Sequence, residues 1–200
     1  MAVIKAFMAI VGCALLLNAC VTTTTGGFNT EPSEERAVRD FVQLATGYFE
    51  AGDMFAARRN VNNALAINNR SSSAHNVLAL VLQREGDRDL AHETFQRALA
   101  LDASNSQARN NYAAFLYEIG EYEQSYQQLE TVANDTTYES RDRAFVNLGV
   151  SALRTSRPER AEYAFERALQ LNGNAYPASL EMAQIKFEKG EFAQAMNYYK

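Results

Sequence analysis

Two hundred residues, 47% apolar and 22% charged with three prolines, suffice for one domain with a real core and exclude a disordered chain. The net charge of −5, which becomes −6 if Lys5 is removed with an export leader, excludes a polyanion such as nucleic acid as the natural partner. Both cysteines, Cys13 and Cys20, lie at the amino-terminal end, so the rest of the chain has neither a disulfide framework nor a thiolate metal site.

Lys5 and the amino terminus make a weakly positive start, and Ala6 to Leu17 then form an apolar run of signal-peptide length. A helix crossing a bilayer needs about 20 such residues, and Asn18 followed by the threonines from Thr22 to Thr25 prevents an extension. The run ends Leu17-Asn18-Ala19-Cys20, which resembles the lipobox of bacterial lipoproteins. That resemblance implies cleavage before Cys20, diacylglycerol on its sulfur and acylation of the new amino terminus. Each buried CH₂ of such an anchor contributes roughly 0.8 kcal/mol, and several chains together attach stably. Val21 follows the cysteine. In lipoproteins an aspartate there is associated with inner-membrane retention, so the resemblance implies the outer membrane, periplasmic face. The competing readings are an ordinary signal peptide with a chance cysteine, or an uncleaved anchor.

Residues 21–35 are rich in Thr, Gly and Asn, with Pro32 and almost no large apolar side chain, and read as a flexible linker. The expected organisation is a signal peptide over 1–19, a lipidated terminus and tether over 20–36, and a repeat domain over 37–200.

The repeat shows first as a glycine before an acidic residue: Gly52-Asp53, Gly86-Asp87, Gly120-Glu121 and Gly190-Glu191, with Ser156 in the equivalent place between the last two. The steps are 34, 34, 36 and 34 residues, and 34 is the tetratricopeptide period. Seven residues before this turn position stand Ala45, Ala79, Ala113, Gly149 and Ala183; five after it stand Ala57, Ala91, Ser125, Ala161 and Ala195; twelve after it come Ala64, Ala98, Val132 and Ala168. Large residues fill complementary columns: Leu44, Leu78, Tyr112, Leu148 and Met182, then Val61, Phe95, Leu129, Phe165 and Tyr199. Small side chains let the two helices of a hairpin approach, and large ones fill the seams. Phe41, Leu44, Ala45 and Tyr48 share one helical face in the first unit. Glycine ends the first helix, Asp53 and Asp87 can cap the second, and Pro158 falls in a first turn. The expected fold is all-α, a right-handed tetratricopeptide superhelix (an α-solenoid) of about five hairpins, near 38–71, 72–105, 106–141, 142–175 and 176–200.

Some features depart from the pattern. Asn69, Ala103 and Gly173 stand where such repeats usually carry proline, and the third unit has two extra residues near Asp135-Thr136-Thr137, read as a longer loop. The last helix runs to Lys200, so the face around Ala195 and Tyr199 is expected to lack a following partner; the reading is a fragment, or an end covered by another protein.

No chemistry-bearing constellation emerges. His75 and His92 lack metal-ligand spacing, Ser71-Ser72-Ser73 reads as an inter-repeat loop with a helix cap, and Glu31, Glu34 and Glu35 as a solvated helix entry. The expectation is a protein-binding module with no catalysis, cofactor or metal. Stacked hairpins leave a concave surface lined by the first helices, and repeat phase selects its residues. Three before the turn position are Phe49, Gln83, Tyr117 and Leu153; six before it are Thr46, Leu80, Ala114 and Val150; ten before it are Val42, Asn76, Asn110 and Val146. Asn76, Gln83 and Asn110 are expected to hydrogen-bond an extended partner backbone. The same phase is also compatible with packing inside the superhelix.

A lipobox followed by such repeats resembles the type IV pilus biogenesis and stability lipoproteins, the pilotins of the pilus secretin. Asn110-Asn111-Tyr112 with Phe115-Leu116-Tyr117-Glu118, Asp135-Thr136 with Tyr138, Asn147-Leu148-Gly149, and Leu180-Glu181-Met182-Ala183 carry the likeness beyond the general repeat. It spans Cys20 to Lys200, against six repeats in the family. The resemblance implies that the secretin is the partner, that the protein promotes the secretin's outer-membrane localisation and multimer assembly, and that Cys20 is lipidated. An adaptor for cell-wall hydrolases or for outer-membrane barrel assembly would share the anchor and repeats.

Overall fold

The structure, a computed structural model, describes residues 33–199; the leader, Cys20 and most of the tether lie outside the described residues. Among those described, ten helices make five hairpins: α1 (Glu34–Glu50) with α2 (Met54–Ile67), α3 (Ser72–Glu85) with α4 (Arg88–Leu101), α5 (Ser106–Glu118) with α6 (Tyr122–Asn134), α7 (Arg141–Arg154) with α8 (Pro158–Leu171), and α9 (Tyr176–Glu188) with α10 (Phe192–Tyr198). Helix α1 begins at Glu34, so Glu34 to Arg36 are helical where tether was expected.

Every hairpin turns in the same way. The turn residue donates to the carbonyl three before it, as Gly86 does to Gln83, and the next residue reaches back five, as Asp87 does to Leu82. This pairing satisfies the last carbonyls of the first helix and needs a left-handed residue. Gly52, Gly86, Gly120 and Gly190 supply it with φ between 75° and 89°, and Ser156 takes the same conformation at φ 58° despite its side chain. Asp53 and Asp87 then cap the second helix, their carboxylates accepting from the amides of Ala56 and Leu90.

The missing prolines are replaced by side-chain turns. Asn68, Asp102, Asp135 and Asn172 each accept, through Oδ1, the amide two residues on, at Arg70, Ser104, Thr137 and Asn174. Asp135 also receives the hydroxyls of Ser106 and Thr137, Ser106 having the larger effect, and its carboxyl is held down to about 2. The two extra residues of the third unit do enlarge this loop: 135–140 separate α6 from α7, against 102–105 between α4 and α5.

Packing follows the columns. Ala45, Ala79, Ala113 and Ala183 have no exposed surface, nor do Val61, Phe95, Leu129 and Phe165. At Gly149 a Cβ would lie 2.4 Å from Cε1 of Phe165, so the α7–α8 crossing is the tightest place for a methyl among the described glycines. Ser125, in a column otherwise occupied by alanine, is buried against Ser151 with a 2.9 Å hydroxyl–hydroxyl hydrogen bond. The core is a chain of clusters: one at the α1–α3 end around Val61 and Val77, one around Phe95 and Phe115, and one from Leu129 to Met182. That is the linear architecture of a solenoid, in which each repeat stabilises its neighbours.

The ends depart from the phase. Leu44 is 50% exposed and Tyr48 also faces solvent, because the seam they would fill has no preceding hairpin among the described residues. Ala195, expected to lack cover, is buried beneath its own hairpin; Tyr199, in phase with four fully buried residues, is 59% exposed.

Candidate functional site

The first helix of each hairpin contacts the first helix of the next along α1, α3, α5 and α7. The side chains that repeat phase selected lie along this surface, and the structure divides them. Phe49, Leu80, Gln83 and Ala114 come together around a depression of about 420 Å³, with Arg84, Asn111 and Glu118 completing its wall. Asn110 and Val146 line a second, about 390 Å³, with Asn147, Arg143 and the loop ahead of α9.

The remaining selected residues do other work. Val42 packs on the cluster between the first two hairpins, and Val150 on the largest cluster. The Thr46 hydroxyl donates to the Val42 carbonyl 2.9 Å away, inside its own helix. Leu153 is exposed and lines neither depression. Tyr117 is half-buried, its hydroxyl accepting from Arg154 Nε at 2.9 Å while its ring meets that of Tyr122 edge-on at 5.0 Å. Cys20 lies outside the described residues.

The expectation for the amides requires correction. Asn76 and Asn110 are only 5% and 8% exposed, and their Oδ1 atoms accept from Nδ2 of Asn111 and Asn147 in the next repeat, at 3.1 and 3.2 Å. They are rungs between repeats. A buried amide must find a partner, and the neighbouring helix is closer than any ligand. Gln83 is likewise engaged, donating Nε2 to Glu118.

One rule covers these contacts: a residue three before the turn meets the residue two before the next turn. Phe49 lies under Arg84, whose guanidinium carbon is 5.1 Å from the ring centroid; Gln83 meets Glu118; Tyr117 meets Arg154. The hydroxyl of Tyr117, ahead of the charges nearby, raises the Arg154 guanidinium above its ordinary value. A parallel rule links ten before the turn to nine before the next. Sequence reasoning missed Arg84, Asn111, Glu118, Asn147 and Arg154. Each sits one helical step from a selected column, and the signal available was that their own columns are also in register. Chemically the surface offers an apolar floor, part-used amides and fixed charges, which is suited to binding an extended chain.

Comparison with known proteins bears on the family and the fold. A tetratricopeptide-repeat family model matches residues 82–137. The type IV pilus assembly protein PilF of Pseudomonas aeruginosa is 37% identical over 187 residues, covering 93% of this chain and 74% of that protein. The chain belongs to the PilF family. A solved structure of P. aeruginosa PilF superposes with a TM-score of 0.80 at 38% identity, covering 83% of this chain and 75% of the other. PilW, a widely conserved type IV pilus biogenesis factor, superposes at 0.73 with 25% identity, covering 82% and 75%. MamA, at 18% identity and a TM-score of 0.64 over 78% and 90% of the two chains, shares the fold alone. The all-α solenoid of five hairpins expected for this PilF-family chain is therefore the observed fold, and the family expected is the family found.

Proposed function

We propose that this protein acts in type IV pilus biogenesis as a pilotin: an outer-membrane lipoprotein, anchored through Cys20 on the periplasmic face, that holds the pilus secretin and promotes its localisation and multimer assembly. The observation that carries the reading is the 37% identity to PilF over nearly the whole chain. Two features support the finer parts. Leu17-Asn18-Ala19-Cys20 has the character of a lipobox, which would give the protein several acyl chains and a route to the membrane. The depression of Phe49, Leu80, Gln83 and Ala114 offers a secretin segment apolar contact with fixed polar groups at its edge. Mechanistically, the repeats grip a secretin subunit while the lipid directs both to the same bilayer; no bond is made or broken by the protein.

The test is deletion of the gene, followed by electrophoresis of the envelope and counting of surface pili. Loss of heat-resistant secretin multimers and of pili, restored by the wild-type gene and not by Cys20→Ser, is the expected result. Intact multimers in the deletion strain would overturn the pilotin reading and favour an adaptor for other envelope machinery. Mass spectrometry of the mature amino terminus tests the anchor separately: an unmodified thiol at Cys20 would remove it.

A further inference from the structure

The position two before each turn carries Glu50, Arg84, Glu118, Arg154 and Glu188. All five are charged, all five are exposed, and the sign alternates from one repeat to the next. Elsewhere, charges one repeat apart find each other: Arg58 pairs with Glu85, Arg157 with Glu123, Arg160 with Glu130, and Lys186 and Lys189 with Glu162. None of the five in this column is ion-paired among the described residues, although each has an opposite charge one repeat away. Four are instead held from one side by uncharged groups. Arg84 lies over Phe49, Glu118 accepts from Gln83, Arg154 donates to Tyr117, and Glu188 accepts from Gln184 at 2.6 Å. Arg84 and Glu118 also wall the depression that contains Leu80 and Ala114. The arrangement is a rail of positioned, unspent charges, of which Arg84 and Glu118 stand at the rim of the depression.

The spacing of the rail limits what can read it. The first helices α1, α3, α5 and α7 are in contact in series, and packed helices lie about 8–10 Å apart. A β-strand turns successive side chains to opposite faces, so residues three apart cannot share a rim. A polyproline-II segment rises about 3.1 Å per residue with three residues per turn, presenting the same face roughly every 9 Å. An α-helix repeats a face every turn, about 5.4 Å, and reaches a similar distance only at every second turn, about 10.5 Å; its main-chain groups are also bonded internally. Its main chain could not donate to the amide oxygen left over in the neighbouring depression, where Asn147 gives Nδ2 to Asn110 while its Oδ1 makes no hydrogen bond among the described residues.

We propose that this rail recognises an extended, polyproline-II-like protein segment whose charged residues alternate in sign at every third position. The inference rests on the reading that the groove holds a partner protein, and it names the chemistry of that partner. Alternation lets the rim set register: a slip by one repeat puts like charges together, while a slip by two is opposed only by the differing apolar and amide contacts beneath.

The probe is a pair of labelled proline-containing peptides of about twelve residues, identical in composition, with Lys and Glu alternating at every third residue in one and at every second in the other. Binding to the purified full-length protein is read by fluorescence anisotropy. The three-spaced peptide is expected to bind at least about tenfold tighter at low ionic strength, with the preference shrinking as salt screens the rim. The variant R84Q/E118Q/R154Q/E188Q, which removes the charges together with their contacts to Phe49, Gln83, Tyr117 and Gln184, is expected to lose the preference while remaining folded by circular dichroism. Equal affinities, absence of binding by either peptide, or a preference that survives in the variant would each overturn the proposal. Secretin assembly in cells is a separate measurement: its failure alongside a retained peptide preference would count against the pilotin reading and not against the rail.

Discussion

Gly149→Ala tests the packing at the α7–α8 crossing. In isolation the change should help, since alanine in a helix interior is more favourable than glycine by about 1 kcal/mol. Here the new methyl carbon would lie 2.4, 2.6 and 2.7 Å from Cε1, Cζ and Cδ1 of Phe165, against an ordinary carbon–carbon contact of about 3.5–4.0 Å. The ring must therefore retreat by about 1 Å, and Phe165 has no exposed edge to retreat towards. Overpacking of this kind costs about 1–3 kcal/mol. The two effects leave a net destabilisation of about 1 kcal/mol, a fall in melting midpoint of roughly 2–4 °C for a domain of this size.

The assay is urea and thermal unfolding by circular dichroism, run as a double-mutant cycle with Phe165→Leu. That change alone should cost about 1 kcal/mol through the void it leaves. In its presence the methyl has room, so Gly149→Ala should turn from destabilising to neutral or better, a coupling of about 1–2 kcal/mol. If Gly149→Ala alone raised the midpoint by the full propensity gain, or if the two changes were additive, the close approach of α7 and α8 at this point would be refuted.

Ser156→Gly should stabilise by about 0.5–1 kcal/mol, since a side chain in the left-handed region costs about 1–2 kcal/mol and glycine gives back part of this as unfolded-chain entropy; an unchanged unfolding midpoint would contradict it. The bidentate bonds from Arg160, with the Tyr126 hydroxyl, hold Glu130 below the usual carboxylate range. Its stabilisation is then complete above an unfolded value of about 4.3 and lost as pH falls through the lower folded value. Unfolding free energy measured between about pH 5 and 2 should therefore fall less steeply in Glu130→Gln than in the wild type; parallel curves would exclude the pair as a contributor. Ser106→Ala should raise the Asp135 carboxyl from about 2 towards its ordinary value, read by carboxyl-carbon NMR titration; no movement would show that the Ser106 hydroxyl does not hold it down. Ala114→Trp, at an exposed site on the groove floor, should change stability by no more than about 0.5 kcal/mol while blocking the secretin capture proposed above; undiminished capture would move the proposed binding surface elsewhere.

The hairpins were legible because their two requirements are each met by one residue type at a fixed interval. A left-handed turn selects glycine, and a close helix crossing selects alanine, so Gly52, Gly86 and Gly120 with Ala45, Ala79 and Ala113 declare the fold by spacing alone. The candidate surface was legible only as a face. Phase put Asn76 and Asn110 on the concave side, where they are, and left open whether their amides turn to a ligand or to the next repeat. Their partners, Asn111 and Asn147, stand one position later in the repeat, about 100° round the helix, where they line the two depressions while Asn76 and Asn110 are the more deeply buried. No column of a single repeat contains that pairing, because it belongs to the step between repeats. Ser156 was legible by interval and not by residue type: its left-handed backbone is imposed by the surrounding turn, against its own preference.

The offset between columns has a consequence for how binding can be separated from stability here. Phe49, Gln83 and Tyr117 each face the groove and at the same time hold the charged residue of the next repeat. Truncating any of them removes a contact surface and loosens a rung together, so a loss of partner binding would carry two explanations. Ala114 and the charged heads of Arg84, Glu118 and Arg154 are exposed, and replacing those heads by glutamine keeps much of their length. Changes at Ala114 alter what a partner meets while leaving rungs and buried seams as they are, whereas changes at the charged heads also release Phe49, Gln83 or Tyr117. In a solenoid whose stability passes from neighbour to neighbour, a binding defect at Ala114 with an unchanged melting midpoint reports on recognition, whereas the same defect at Tyr117 or at its partner Arg154 does not.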